Sequence, residues 1–288
     1  MAAPLNTQQT TSRAISQTSL QSWKRISDQT AAMANQSLEA YAPITLEEMK
    51  AVTLLKRVDT KYILPTRQIF QALHTIKDQY RVLEVQGTRI NRYHNLYFDT
   101  PNFEMYHQHH NGQRDRYKVR CREYVDTRLD YLEVKRKNNR DQTIKNRLKT
   151  SDFLSVLTKK DHKFLGDKFP GEYRQLNPVL WVDFMRITLV SKHKVERLTL
   201  DINLSFSNSW DQHELPGLAV AEVKQDGFSI NSDFIQQMRI MKTQPERFSK
   251  YCQGITHFYP QVKYNRFKPR TLLIDRIIRQ GENYGYHH

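Results

Sequence analysis

Residues 114–149 read RDRYKVRCREYVDTRLDYLEVKRKNNRDQTIKNRLK, and the alternation in this stretch decides the fold. It carries thirteen Lys/Arg against six Asp/Glu. Successive side chains of an extended strand point to opposite faces, so Arg116, Lys118, Arg120, Arg122 and Tyr124 share one face and Tyr117, Val119, Cys121 and Val125 the other. The next run repeats the pattern. Leu129, Tyr131, Glu133, Lys135 and Lys137 lie on one face with Leu132 and Val134 on the other, and then Lys145, Arg147 and Lys149 alternate with Ile144 and Leu148. Antiparallel pairing of such strands sets like charges opposite one another, which is unfavourable unless an anion or carboxylates lie between them. The stretch predicts strands whose charged faces await an anion.

The rest of the chain extends the same bias. Over 288 residues the formal charge is +15, which implies a polyanionic partner: nucleic acid, an anionic membrane or a phosphate compound. No helix-turn-helix, RNP-like or zinc-finger pattern appears, and the cations sit on strand faces that also carry carboxylates, so nucleic acid is not expected. No apolar run approaches the roughly 18 residues needed to cross a bilayer, and no secretory leader is visible; the reading is a cytoplasmic protein. Cys121 and Cys252 stand far apart without a Cys/His cluster, and are read as buried apolar residues rather than a zinc site or a disulfide.

Residues 1–44, crowded with Ser, Thr, Gln and Ala, read as a disordered or loosely docked arm. Residues 45–258 read as one domain. A strand at 57–62 puts Arg57, Asp59 and Lys61 on one face, and a helix is expected over 67–80, followed by strands at 81–85 and 92–99. A short helical piece, FEMYHQHH, precedes the Asn111-Gly112 turn, and its histidines 107, 109 and 110 are taken as a polar loop. A helix is expected over 151–174, strands over 179–190, 194–206 and 217–226, and helices over 232–242 and 245–257. Residues 259–288 form a basic amphipathic helix that packs back on the domain, or touches a membrane surface or a partner.

Collected by strand face, the chemical residues are Arg57, Asp59 and Lys61; Arg120 and Arg122; Glu133, Lys135 and Lys137; Lys145 and Arg147; Arg186; Arg197 and Asp201; Glu222 and Lys224. Many strands with one charged and one apolar face suit an α+β fold in which a closed antiparallel barrel is lined by charges and jacketed by helices.

The order and wording of these segments resemble the VTC domain, the polyphosphate polymerase branch of the triphosphate tunnel metalloenzymes. The resemblance rests on Arg57-x-Asp59-x-Lys61-Tyr62, Tyr97-Phe98-Asp99-Thr100, Lys118-x-Arg120-x-Arg122, Glu133-Val134-Lys135, Lys145-x-Arg147, Arg186, Glu196-Arg197 with Asp201, Glu222-Val223-Lys224 and Phe248-Ser249-Lys250-Tyr251, all in family order. It implies a tunnel for the triphosphate of ATP and a growing polyphosphate chain. Arg120, Arg122, Lys135, Arg186, Arg197 and Lys250 would act on the phosphates. Lys61, Arg57, Lys137, Lys145, Arg147, Lys224, Ser249 and Arg247 would complete the walls, and Glu222, with Glu133, would hold Mn²⁺ or Mg²⁺. Phe184 stands where the family usually has Tyr, Lys137 where eukaryotic members carry His, and Arg247 where a Lys precedes Phe-Ser-Lys.

The activity so implied is an ATP:polyphosphate phosphotransferase of the polyphosphate kinase type, a transferase of phosphate metabolism, with possible peripheral contact to a membrane protein. The alternatives are a tunnel-type triphosphatase and a non-catalytic polyphosphate-binding module. A hydrolase must activate water, and the expected lumen holds about eleven cations against only Asp59, Glu133, Asp201 and Glu222, which favours transfer.

Overall fold

In a computed structural model of the chain, residues 27–51, 57–140 and 142–284 are described, residues 51, 57 and 281–284 by their backbone alone. The elements are helix α1 (27–38), β1 (Pro43–Ile44), α2 (Leu46–Ala51), β2 (Arg57–Pro65), α3 (Thr66–Ile76), β3 (Tyr80–Leu83), β4 (Ile90–Asp99), α4 (Glu104–His110), β5 (Arg116–Tyr124), β6 (Leu129–Lys137), β7 (Thr143–Thr150) and α5 (Lys159–Lys168). After these come β8 (Asn177–Ser191), β9 (Glu196–Ser207), β10 (Gln212–Leu215), β11 (Leu218–Asp226), α6 (Asp233–Ile240), α7 (Lys250–Phe258) and α8 (Lys268–Tyr284).

The basic stretch does form a meander. Lys118 faces Lys135 and Arg120 faces Glu133 across the β5–β6 ladder, and Lys135 faces Lys145 and Glu133 faces Arg147 across β6–β7. Its alternate positions supply the opposite surface: Val119, Cys121, Leu132 and Val134 are fully buried against Leu165 and Phe169. Burial of side chains of this size, at about 1.5–3 kcal/mol each, is what fixes the register, because a slip by one residue would send every cation into that apolar layer.

The main sheet runs in the order β2-β11-β9-β8-β4-β5-β6-β7, with β10 on β9 and the β1–β3 pair on β8; all pairings but β1–β3 are antiparallel. Among the described residues hydrogen bonds do not close the sheet into the expected barrel. Among the described residues no ladder joins the terminal strands β2 and β7, and the Lys61 carbonyl of β2 accepts instead from the Glu246 N–H at 2.7 Å. The sheet is nevertheless strongly curled. Five strand steps separate β11 from β6, about 24 Å if flat, yet Glu222 of β11 and Lys61 of β2 act directly on the charge of Lys135 on β6.

A second difference concerns the helices. Ile63, Phe184 and Val220 stand two residues from, and so share faces with, Lys61, Arg186 and Glu222, and they belong to one buried cluster with Tyr251, Cys252 and Ile255 of α7. Helix α7 therefore lies on the charged, concave side rather than outside. It can do so because Gly254 has no side chain: a Cβ there would stand 2.5 Å from Leu180 Cδ2. Gly254→Ala should cost about 1–3 kcal/mol, read as a lowered midpoint of urea unfolding, and it should displace Ser249 and Lys250 at the head of α7.

The other departures are local. Of the helix expected over 151–174 only Lys159–Lys168 forms, started by a capping box between Thr158 and Asp161; Phe153, Leu154 and Leu157 reach the back of the sheet from a loop. The short helical piece expected at FEMYHQHH does form, over Glu104–His110, so its histidines lie in a helix rather than a loop, and β10 is a strand the alternation had not marked. Of the N-terminal stretch, residues 1–26 lie outside the described residues, whereas 27–38 are helical and bury Ala34 and Leu38 completely.

Candidate active site

The concave face is built from side chains at alternate positions of eight strands, β2, β4 to β9 and β11, completed by the head of α7. Three carboxylates lie there, each clasped by two cations from different elements. Asp201 of β9, 3% exposed, accepts from Arg186 Nε at 2.6 Å and Nη2 at 2.7 Å and is also paired with Lys250. Glu133 of β6, 1% exposed, is paired with Arg120 at 2.7 Å and with Lys145. Glu222 of β11 is paired with Lys224, and with Lys61 at 3.5 Å.

Burial alone would raise these acids. The cations outweigh it: Arg120, Arg122 and Lys145 pull Glu133 down to about 2, Arg186 and Lys250 hold Asp201 far below the carboxylate range, and Lys224 and Lys61 do the same for Glu222. All three are ionised at neutral pH.

Around these triads stands further positive charge. Lys118 Nζ donates to Ser249 Oγ at 2.8 Å, and Lys61 Nζ donates to the Phe248 carbonyl at 3.1 Å, so the segment leading into α7 ties β5 to β2. Lys135 has no hydrogen bond or ion pair among the described residues. Crowding by protein, then Lys118 and Lys61, drives its ammonium down to about 7, although the side chain is exposed to water. A lysine that is both wet and crowded lines a solvent-filled hollow. Burial likewise lowers Lys118, Lys224, Lys250 and Arg122.

Aromatic faces spread this charge. Arg186 and Lys250 lie over Phe184 at 5.1 and 4.4 Å, and Phe184 stacks on Tyr93 with ring planes 8° apart. Arg122 lies 5.0 Å over Tyr93 and donates through Nε to Asn95 Oδ1 at 2.7 Å. The Tyr97 hydroxyl accepts from Arg120 Nη1 at 3.0 Å. Burial opposes ionisation of that phenol, but Arg120, Lys118 and Arg122 prevail and bring it down to about 8.

Of the residues expected from sequence, the fold gathers Arg120, Arg122, Lys135, Arg186, Lys250, Lys61, Lys145, Lys224, Ser249, Glu222 and Glu133 on this face. Arg197 and Arg147 share this face by register, opposite Lys224 and Glu133, as does Lys137, two residues beyond Lys135. Arg197 donates to the Met49 carbonyl at 3.0 Å near the strand end, Arg147 is exposed and stacks on Tyr131 at 4.9 Å, Arg247 is exposed, and Lys137 lies in register with Arg116 at the far end of β6. The Arg57 side chain is outside the described residues.

Lys118, Asn95, Tyr97 and Tyr93 of this face had not been singled out for the site. Lys118 and Tyr97 sit inside the quoted motifs and were legible there; for Asn95 and Tyr93 the sequence carried no signal.

A family model described as the VTC domain matches residues 56–259. No curated protein matches. Among solved structures, a candidate adenylate cyclase from Bacillus halodurans is 13% identical, covering 71% of this chain and 100% of that chain at a TM-score of 0.42. A candidate adenylyl cyclase from Hippeastrum, described as having a dominant triphosphatase activity, is 13% identical over 70% of this chain and 96% of its own, also at 0.42. The S. pombe RNA triphosphatase is 10% identical, covering 88% and 93% of the two chains at 0.27.

Proposed function

Because the chain belongs to the VTC-domain family, we propose that it is an ATP-dependent polyphosphate polymerase working on the concave face of its sheet. The observation that carries this reading is the lysine ladder Lys118, Lys135 and Lys145, set directly opposite one another with Lys61 beside them. Facing ammonium groups destabilise an empty sheet where carboxylates do not separate them, as at Lys118 and Lys135, and a chain of phosphates between them turns the repulsion into attraction.

In this reading the terminal phosphate oxygen of a polyphosphate chain attacks the γ-phosphorus of ATP. A P–O bond forms to the chain, the bond to the β-phosphate oxygen breaks, and ADP leaves; the nucleophile is already ionised, so no base need take a proton. Arg186 and Arg120, whose planar forks suit phosphate oxygens, stabilise charge on the transferred group, while Lys61, Lys118, Lys135 and Lys250 hold the chain in line. Lys224 and Lys145 keep the carboxylates oriented.

Glu222 suits a divalent ion better than Glu133 does. Its Lys61 contact is loose at 3.5 Å, whereas both Glu133 oxygens are taken and the side chain is 1% exposed. Among the described residues no three potential ligands converge, which matches a hard cation bound by one carboxylate plus substrate phosphates. Such an ion, Mn²⁺ or Mg²⁺, would supply Lewis-acid neutralisation of phosphate oxygens.

The three ion-paired carboxylates are too acidic to deprotonate water, which argues against hydrolysis. One feature favours it: the neutral form of Lys135, available near pH 7, could accept a proton from water. Incubation of the protein with ATP and Mn²⁺ separates the two. Polymer plus ADP supports the polymerase; orthophosphate without polymer establishes hydrolysis. Among the described residues no helix is long and apolar enough to cross a membrane.

A further inference from the structure

His109 lies in the last turn of α4, a helix that Asp99 anchors to the end of β4 by accepting the Met105 and Tyr106 N–H groups, both at 3.0 Å. Its ring rests 6.2 Å from Phe267, and Nδ1 is shut off from water with no hydrogen-bond partner among the described residues. A buried ring nitrogen left without a partner costs roughly 1–3 kcal/mol. The charged groups that act on it come from three strands: Lys118 and Arg116 of β5, Lys61 of β2 and Lys135 of β6. Its own helix adds His107 and His110, the latter bonded to Asn265 Oδ1 at 2.8 Å. Helix α4 packs on β5, the strand of Lys118 and Arg116, so His109 stands at the edge of this lysine group, where a phosphate chain would end or continue.

We propose that His109 is a further residue of the polyanion site, neutral while the hollow is empty and protonated when a phosphate chain fills it. The inference rests on the polyanion reading above. Burial, followed by Lys118, Arg116, Lys61 and Lys135, drives the imidazole down to about 2 in the empty protein. A phosphate chain cancels the field of those four cations and offers an acceptor for a ring N–H, so binding and protonation favour each other. The sign follows. Between about 2 and the higher value in the complex, each unit of falling pH should tighten binding by up to about tenfold.

The test is calorimetric titration with long-chain polyphosphate at pH 5.5, without ATP, in buffers of different ionisation enthalpy. Lys135, pushed to about 7, is largely protonated there and contributes little. The wild type should take up close to one proton more than His109→Gln or His109→Asn, and histidine-selective NMR of the wild type should show one imidazole becoming charged on binding. Proton uptake unchanged by the substitutions, with no imidazole charging, overturns the inference and leaves the polyanion reading standing. No binding by any of the three proteins overturns both.

Discussion

Asp201→Asn is expected to destabilise the empty protein by about 3–5 kcal/mol, the usual cost of stripping the partner from buried charges, and polyphosphate is expected to restore most of the loss. The carboxylate is almost inaccessible and is the counter-ion of both Arg186 and Lys250. An amide leaves those two cations facing one another with Phe184 beneath them. In the wild type a phosphate must compete with Asp201 for the same donors; in the variant it meets them unpaired. Stabilisation by ligand follows its affinity for the folded form, so the shift in Tm on adding polyphosphate should be larger in the variant than in the wild type. Equal shifts would mean that Arg186 and Lys250 do not bind phosphate. The pH dependence has the same origin. Asp201, Glu133 and Glu222 are all depressed in the folded state, so their contribution is complete above the ordinary carboxylate range near 4 and is lost as the pH falls towards 2. Asp201→Asn should flatten that acid limb.

How much of this was readable in advance depends on whether a property is local. Strand faces are local. The alternation from Arg116 to Lys149 places Arg120, Glu133 and Lys135 on one side and Val119, Cys121, Leu132 and Val134 on the other, as found, because one buried face makes the register unambiguous; Val125 instead falls in the turn after β5, and Ile144 is exposed. Closure is not local. Whether β2 meets β7 turns on what else reaches the β2 edge, and the segment before α7 arrives there, with Glu246 bonded to Lys61. The position of α7 was hidden for a related reason: its apolar face, Tyr251, Cys252 and Ile255, reads the same whether it covers a sheet from outside or fills the hollow. At 151–174 the spacing of Phe153, Leu154 and Leu157 imitates a helix, but these residues reach the sheet from a loop, and the Thr158 capping box shows where the helix begins. Only the turn of α4 separates His109, near the lysines, from His110, which bonds Asn265.

Glu222→Gln should separate binding from turnover. The carboxylate is held well below its usual range by Lys224 and Lys61 and faces the same hollow as Lys135, so it is the ionised group on this face best placed to hold a cation beside bound phosphates. Its removal takes away that anchor, and metal-dependent consumption of ATP should drop by at least about a hundredfold, or ~2.7 kcal/mol of barrier. Binding moves the other way. Lys224 and Lys61, released from their counter-ion, add to the positive field, so affinity for polyphosphate without metal should be unchanged or tighter, and tighter most visibly at low ionic strength, where the field is least screened. The opposed directions make the result diagnostic. A variant that loses affinity together with turnover would show that Glu222 acts by arranging the lysines, and one that keeps full turnover would remove Glu222 from the chemistry altogether. Glu133→Gln provides the contrast: that carboxylate neutralises Arg120 and Lys145 in the wall, and its loss should appear first as lowered stability and only secondarily in the metal requirement.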